Sequence, residues 1–176
     1  MPTVIPAGRA DSSSATSEGL VELATAAEIN TSTDAARVMT PGAFSDSIYG
    51  SRYISLTPTA PGTALTTGDN KAYQHIPADL NGMDLASVHA EVATAPAGST
   101  IIIEVSKNGA STQMLSTNIT IDASETGSDT AATAAVIQTN GNEAVATNDV
   151  VQVNITQVGS STAGSGLVVT LGFRIP

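Results

Sequence analysis

The chain has no cysteine and no tryptophan, only two Phe and three Tyr, and six basic residues against sixteen acidic ones. Lack of cysteine excludes disulfides and thiolate metal sites, which leaves burial and assembly to stabilise the fold. Scarcity of aromatics means a core of Val, Ile, Leu and Ala, side chains that suit thin, closely spaced sheets. A formal charge of −10 would repel a phosphate backbone instead of releasing counterions from it, so no nucleic-acid partner is expected. No apolar run approaches the ~20 residues that cross a bilayer, and Met1-Pro2-Thr3-Val4-Ile5-Pro6 lacks the basic-then-apolar order of an export signal. The expectation is a soluble chain with no membrane partner, made in the cytoplasm.

Small residues are abundant: Ala, Gly, Ser and Thr make up almost half of the sequence. Residues 1–18 are polar and small, with Pro2, Pro6, Gly8 and Ser12-Ser13-Ser14, and they follow neither a helical nor a strand period. They read as an extended arm that has to be held by something outside its own domain.

Between Gly19 and Tyr53 the local signals sharpen. Val21 and Leu23 share one face of a short strand over 19–24, and Thr25-Ala26-Ala27-Glu28 has the spacing of a capping box. A single helical turn over 26–30 should follow. Thr40-Pro41 places an N-cap before a proline at the first helical position, predicting a second short helix over 41–48 that ends at Gly50. Two short helices and a strand expose more apolar surface than they cover. Residues 19–53 are therefore expected to be an oligomerisation collar, stable only against copies of itself or a partner.

Residues 54–176 read as a β domain. Val88, Ala90 and Val92 alternate with His89 and Glu91, and Ile101, Ile103 and Val105 alternate with Glu104 and Ser106. Asn108-Gly109 then supplies two residues that tolerate positive φ, as a tight hairpin turn requires. Period two continues through Leu115, Thr117, Ile119 and Ile121, through Val151, Val153 and Ile155, and through Leu167, Val169, Leu171, Phe173 and Ile175. Weaker strands over 52–57, 71–76 and 132–137 bring the number to about eight. The fold class expected is an all-β, antiparallel β-sandwich, with a jelly roll the leading topology. An immunoglobulin-like sandwich is the alternative, made less attractive by the missing core Trp and Cys.

Chemistry-bearing residues are few. His75 and His89 are the only histidines, neither in a motif, and both fit a surface or interface role. Asp122, Glu125 and Asp129 are the closest acidic cluster. They could flank a glycosidic bond or hold Ca²⁺, but they sit among Ser, Thr and Gly in the manner of an exposed loop, without aromatic platforms or EF-hand spacing. No catalytic residue, cofactor or metal is expected, and the chain is not expected to be an enzyme.

Two stretches carry a resemblance. Gly19-Leu20-Val21-Glu22-Leu23-Ala24-Thr25-Ala26-Ala27-Glu28, continuing through Thr33-Asp34-Ala35-Ala36-Arg37-Val38-Met39-Thr40-Pro41, resembles a segment of phage tail-fibre proteins. Ile76-Pro77-Ala78-Asp79-Leu80-Asn81-Gly82-Met83, Met114-Leu115-Ser116-Thr117, Ile119-Thr120-Ile121-Asp122 and Ala131-Ala132-Thr133 are similar to segments of other tailed-bacteriophage structural proteins. The resemblance implies a homotrimer on the virion surface, with the collar as anchor and the β domain as projecting head. Within the sequence no shaft precedes the collar and no large tip follows the head, so a capsid decoration (cement) protein or short head fibre fits better than a long tail fibre. Its partners would be itself and the major capsid protein or another virion structural protein, and a host surface receptor if it is instead a receptor-binding module. Trimerisation and anchoring are expected to rest on Val21, Leu23, Glu28, Ile29, Arg37, Val38, Met39, Pro41 and Phe44.

Overall fold

Alternating apolar and polar side chains become nine strands between Arg52 and Arg174 in the computed structural model, which describes residues 22–32 and 37–176. These strands belong to the second of two units, Ser51–Pro176; the first is Met1–Gly50. In order they are β1 (Arg52–Leu56), β2 (Gly68–His75), β3 (Asp84–Thr94), β4 (Ile101–Lys107), β5 (Leu115–Thr117), β6 (Ile119–Ile121), β7 (Val136–Ile137), β8 (Val150–Gln157) and β9 (Ser165–Arg174). One sheet runs β1-β9-β3, a second runs β2-β8-β4-β6, and β5 pairs with β7. All of these pairings are antiparallel. Backbone bonds from Val92 N–H to Thr126 O (2.8 Å) and from Ser128 N–H to Ala90 O (2.9 Å) add a further segment beside β3.

Strands β1 to β4 alternate between the two sheets, and the last strand, β9, returns between β1 and β3. This is the jelly-roll-like sandwich expected; the immunoglobulin-like alternative is not what forms. The period-two faces explain the layering. Ile101, Ile103 and Val105 of β4, Val151, Val153 and Ile155 of β8, and Ile119 and Ile121 of β6 are buried in one cluster with Ala90 and Val92 of β3 and Leu167, Val169, Leu171 and Phe173 of β9. Each large side chain so covered contributes roughly 1.5–3 kcal/mol relative to exposure. A slip of one residue in any of these strands would turn its apolar set to solvent.

Three strand predictions need correction. The single strand expected from Leu115 to Ile121 is two. Met114 N–H donates to Val105 O, and Ile119 then pairs with Ile103, so the chain between them is longer than β4 can match. The surplus leaves β4 as β5 and pairs with β7. The strand expected over 132–137 shrinks to Val136–Ile137, because side chains take the backbone groups before it: Asp122 Oδ2 accepts the Ala132 N–H (2.8 Å) and Thr120 Oγ1 donates to Thr133 O (3.1 Å). Strand β2 starts early at Gly68 and carries a bulge before Ala72. There Asn70 adopts φ 52° and its N–H donates to Oδ1 of the fully buried Asn154 at 2.7 Å. The turn after β4 does use Asn108 (φ 55°) and Gly109 (φ 127°), and closes through Lys107 N–H to Thr112 O at 2.8 Å, a longer loop than a two-residue hairpin.

Candidate assembly surface

Among the described residues of the first unit, local structure forms without a core. Thr25 Oγ1 accepts the Glu28 N–H (3.3 Å) while Glu28 Oε2 accepts the Thr25 N–H (3.0 Å), closing the capping box that starts α1 (Ala26–Thr31). Ser32 ends it in the left-handed region at φ 52°. Thr40 Oγ1 accepts the Ala43 N–H (3.1 Å) and Pro41 occupies the first turn of α2 (Pro41–Ser45). That helix was expected to reach Ile48. It stops at Ser45 because Ser47 Oγ donates to the Phe44 carbonyl (2.6 Å) and accepts the Tyr49 N–H (3.2 Å), competing with the helical ladder. A 3-10 turn, Ile48–Gly50, follows, and a side chain at Gly50 would strike the backbone of Ser45.

Neither helix buries a single residue. The fully covered residues among those described in this unit are Ser47 and Gly50, which bring almost no apolar surface. By contrast Leu23, Met39 and Ile48 are 59, 52 and 56 % exposed, and Val38, Phe44 and Tyr49 are exposed beside them. Helices of five and six residues do not persist in water on propensity alone.

Polar contacts connect the described parts of this unit. Leu23 and Val38 form a parallel bridge, with Ala24 N–H donating to Val38 O and Val38 N–H to Glu22 O, both at 3.0 Å. The Arg37 guanidinium contacts both Glu22 (2.9 Å) and Glu28 (3.1 Å), one cation shared by two carboxylates. Such exposed pairs contribute about 0–1 kcal/mol each. Asn30 Oδ1 accepts the Ile48 N–H (2.9 Å), and the Ser32 and Tyr49 hydroxyls lie 2.9 Å apart. A hollow of about 240 Å³ lies between Ala24, Glu28, Ile29, Ser32, Arg37 and Met39. Exposed apolar side chains concentrated in so short a segment are the composition of an association surface.

Of the residues singled out in the sequence, Val21 lies outside the described residues, as do the arm and the first part of the strand expected over 19–24. Leu23, Val38, Met39 and Phe44 are the exposed apolar set, Ile29 and Met39 line the hollow, Glu28 and Arg37 are paired, and Pro41 starts α2. Ile48 and Tyr49 were missed, because the helix expected to run through Ile48 gives way to the 3-10 turn. Their apolar character just past Phe44 was the available signal.

In the β unit, His89, Glu91, Glu125 and Asp129 line a depression of about 530 Å³ with Ser124, Thr126, Gly127 and Thr130. Asp122 does not join it: its carboxylate is occupied by the Ala132 N–H and, at 3.3 Å, by the Thr100 hydroxyl. Among the described residues, no three His, Asp or Glu side chains converge as metal ligands would. His75 is exposed at the end of β2, and His89 sits on the outer side of β3, 3.5 Å from the Ser128 hydroxyl.

In the β unit, two carboxyls depart from their ordinary range. Burial pushes Asp84 up, with Glu143 adding to the rise and Lys107 opposing it. Burial acts upward on Asp149 too, but hydrogen bonds from the Asn108 side chain and the Ala146 N–H, with Lys107 nearby, hold it below the usual value. Asp149 belongs to the clamp between the β4 turn and the start of β8. Asp84, at the start of β3, bridges to Ala144, whose carbonyl accepts from Lys107 Nζ.

No family model, curated protein or solved structure matches this chain.

Proposed function

We propose that this chain is a structural protein of a bacteriophage particle, a trimeric capsid decoration (cement) or short head-fibre protein. The observation that carries the reading is the collar: among its described residues, two capped helices bury none of their own residues and a set of apolar side chains is exposed. Three copies brought together over Leu23, Val38, Met39, Phe44 and Ile48 give that segment the core it lacks. The arm over residues 1–18 then attaches the trimer to the major capsid protein or another virion subunit. Ordering such an arm limits its affinity per chain, and trimeric avidity supplies the rest. The motif resemblance of residues 19–41 supplies the phage context. Jelly rolls also serve as viral capsid domains, which supports the reading by analogy of fold. In this role the chain is not an enzyme and needs no cofactor; it acts at the particle surface after synthesis in the host cytoplasm.

The rival reading is a host-receptor-binding module. It draws on the polar depression around His89, Glu91, Glu125 and Asp129. Three experiments separate them. Quantitative mass spectrometry of purified particles should find the chain in many copies per virion, and deletion of residues 1–17 should leave a folded trimer that no longer co-purifies with them. Absence from particles, or undiminished attachment after the deletion, overturns the decoration reading; specific capture of the purified head on a glycan array promotes the rival.

A further inference from the structure

The sequence contains three Asn-Gly pairs, Asn81-Gly82, Asn108-Gly109 and Asn140-Gly141. An asparagine followed by glycine is open to attack on its own side-chain carbonyl carbon by the next backbone nitrogen, since glycine offers no side chain to obstruct ring closure. Attack requires that the glycine N–H lose its proton and that the side chain not be tied to a distant part of the fold. The three sites differ in what holds these groups.

At Asn81, the Gly82 N–H donates to the Val145 carbonyl (2.9 Å), which cannot take a proton, and the side-chain Oδ1 is held by the Thr147 N–H (2.9 Å). At Asn108, the side chain is clamped at both ends: Nδ2 donates to Asp149 Oδ1 (2.7 Å) and Oδ1 accepts the Val150 N–H (2.8 Å). At Asn140, the Gly141 N–H donates to the Glu143 carboxylate at 2.8 Å, a group that can accept the proton. The Asn142 N–H donates to Asn140 Oδ1 at 3.1 Å, a bond within the same exposed turn that ties the side chain to no distant element and polarises the carbonyl that is attacked. That bond closes a ring containing both Asn140 Cγ and Gly141 N, which restricts side-chain rotation beside the nucleophile. Asn140 and Gly141 are exposed, while the base is anchored to the sheet through Leu85 N–H to Glu143 O at 2.9 Å.

We infer that Asn140 is a self-deamidation site of this protein, with Glu143 as its intramolecular base. Glu143 takes the proton from Gly141 N, and the nitrogen forms a bond to Asn140 Cγ. The bond from Cγ to the side-chain nitrogen breaks; the proton passes to that nitrogen, which leaves as ammonia, and Glu143 is regenerated as carboxylate. The Asn142 N–H stabilises the negative charge that develops on Oδ1, as an oxyanion-hole donor does. Water then opens the five-membered imide to aspartate or isoaspartate. One water enters, one ammonia leaves, and the loop between β7 and β8 gains a negative charge.

The test is to hold the purified full chain at neutral pH and follow conversion of Asn81, Asn108 and Asn140 by peptide mass spectrometry. Parallel samples are Glu143→Gln and the wild type unfolded in urea. Glutamine keeps an acceptor for the Gly141 N–H but has no basicity. A positioned base makes Asn140 convert about tenfold or more faster than the other two sites in the folded chain, and Glu143→Gln removes that advantage without changing Asn81 or Asn108. In urea the three rates converge. Folded Asn140 converting no faster than Asn81 and Asn108, or an unchanged rate in Glu143→Gln, overturns the inference. If the variant loosens the fold, seen as faster conversion at Asn81 and Asn108, the order of the three sites in folded wild type decides.

Discussion

Replacing Asn154 with alanine should destabilise the β unit by about 2–3 kcal/mol. Asn154 lies on β8 with no exposed surface, and its side chain spans two elements. Oδ1 accepts the Asn70 N–H at 2.7 Å, fixing the bulge of β2, and Nδ2 donates to the Ser106 hydroxyl of β4 at 3.0 Å. Each bond contributes about 1 kcal/mol net, and removal of the amide also leaves the Asn70 N–H without its acceptor. Ser106→Ala removes only the second bond and should cost about 1 kcal/mol. The double variant should then cost less than the sum, because the Asn154–Ser106 bond is counted in both single changes. Urea unfolding followed by circular dichroism is the assay: Asn154→Ala should lower the midpoint by about 1 M with little change in slope. A shift equivalent to less than about 0.5 kcal/mol, or strict additivity in the double variant, would refute a bridging role for this amide.

Two glycines give a contrast that thermal melts can check. At Gly159 an added methyl meets the Thr162 carbonyl oxygen and, at 2.9 Å, the Ala97 backbone nitrogen, neither of which can move aside; Gly159→Ala should cost about 3 kcal/mol or more. At Gly172 the methyl meets the Ser87 hydroxyl and the Tyr53 ring, flexible groups on the outer face, so Gly172→Ala should cost less than about 1 kcal/mol. Asp149→Ala removes the acceptor of Asn108 Nδ2 and of the Ala146 N–H and should cost about 1–2 kcal/mol at neutral pH. Because Asp149 is held below the ordinary carboxylate range, its contribution is complete above that range and is lost as pH falls through the depressed folded value. Melting temperatures of wild type and variant should therefore converge in acid; a gap that persists at low pH would contradict the assignment.

The sandwich was legible wherever one face of a strand is buried, since period two is then enforced by solvent. Strands β4, β8 and β9 are such cases, with Ile101, Val153 and Leu171 among their inward residues. What could not be read depends on partners distant in the chain. The split between β5 and β6 follows from surplus length against β4, and the bulge at Asn70 follows from an acceptor on Asn154, 84 residues away. The short reach of α2 is a local effect, but it turns on Ser47 choosing the Phe44 carbonyl over solvent. In the collar, Thr25–Glu28 and Thr40–Pro41 announced both helix starts. The pairing of Arg37 with both Glu22 and Glu28 becomes visible only once the bridge of Leu23 to Val38 brings the two segments side by side.

Sedimentation equilibrium of the purified full chain at micromolar concentration tests the collar most directly, with Leu23→Ser/Met39→Ser/Ile48→Ser as the comparison. The wild type should sediment with the mass of three chains and the triple variant as one chain whose β unit still melts cooperatively. A wild type that sediments as a single, fully folded chain would contradict the account.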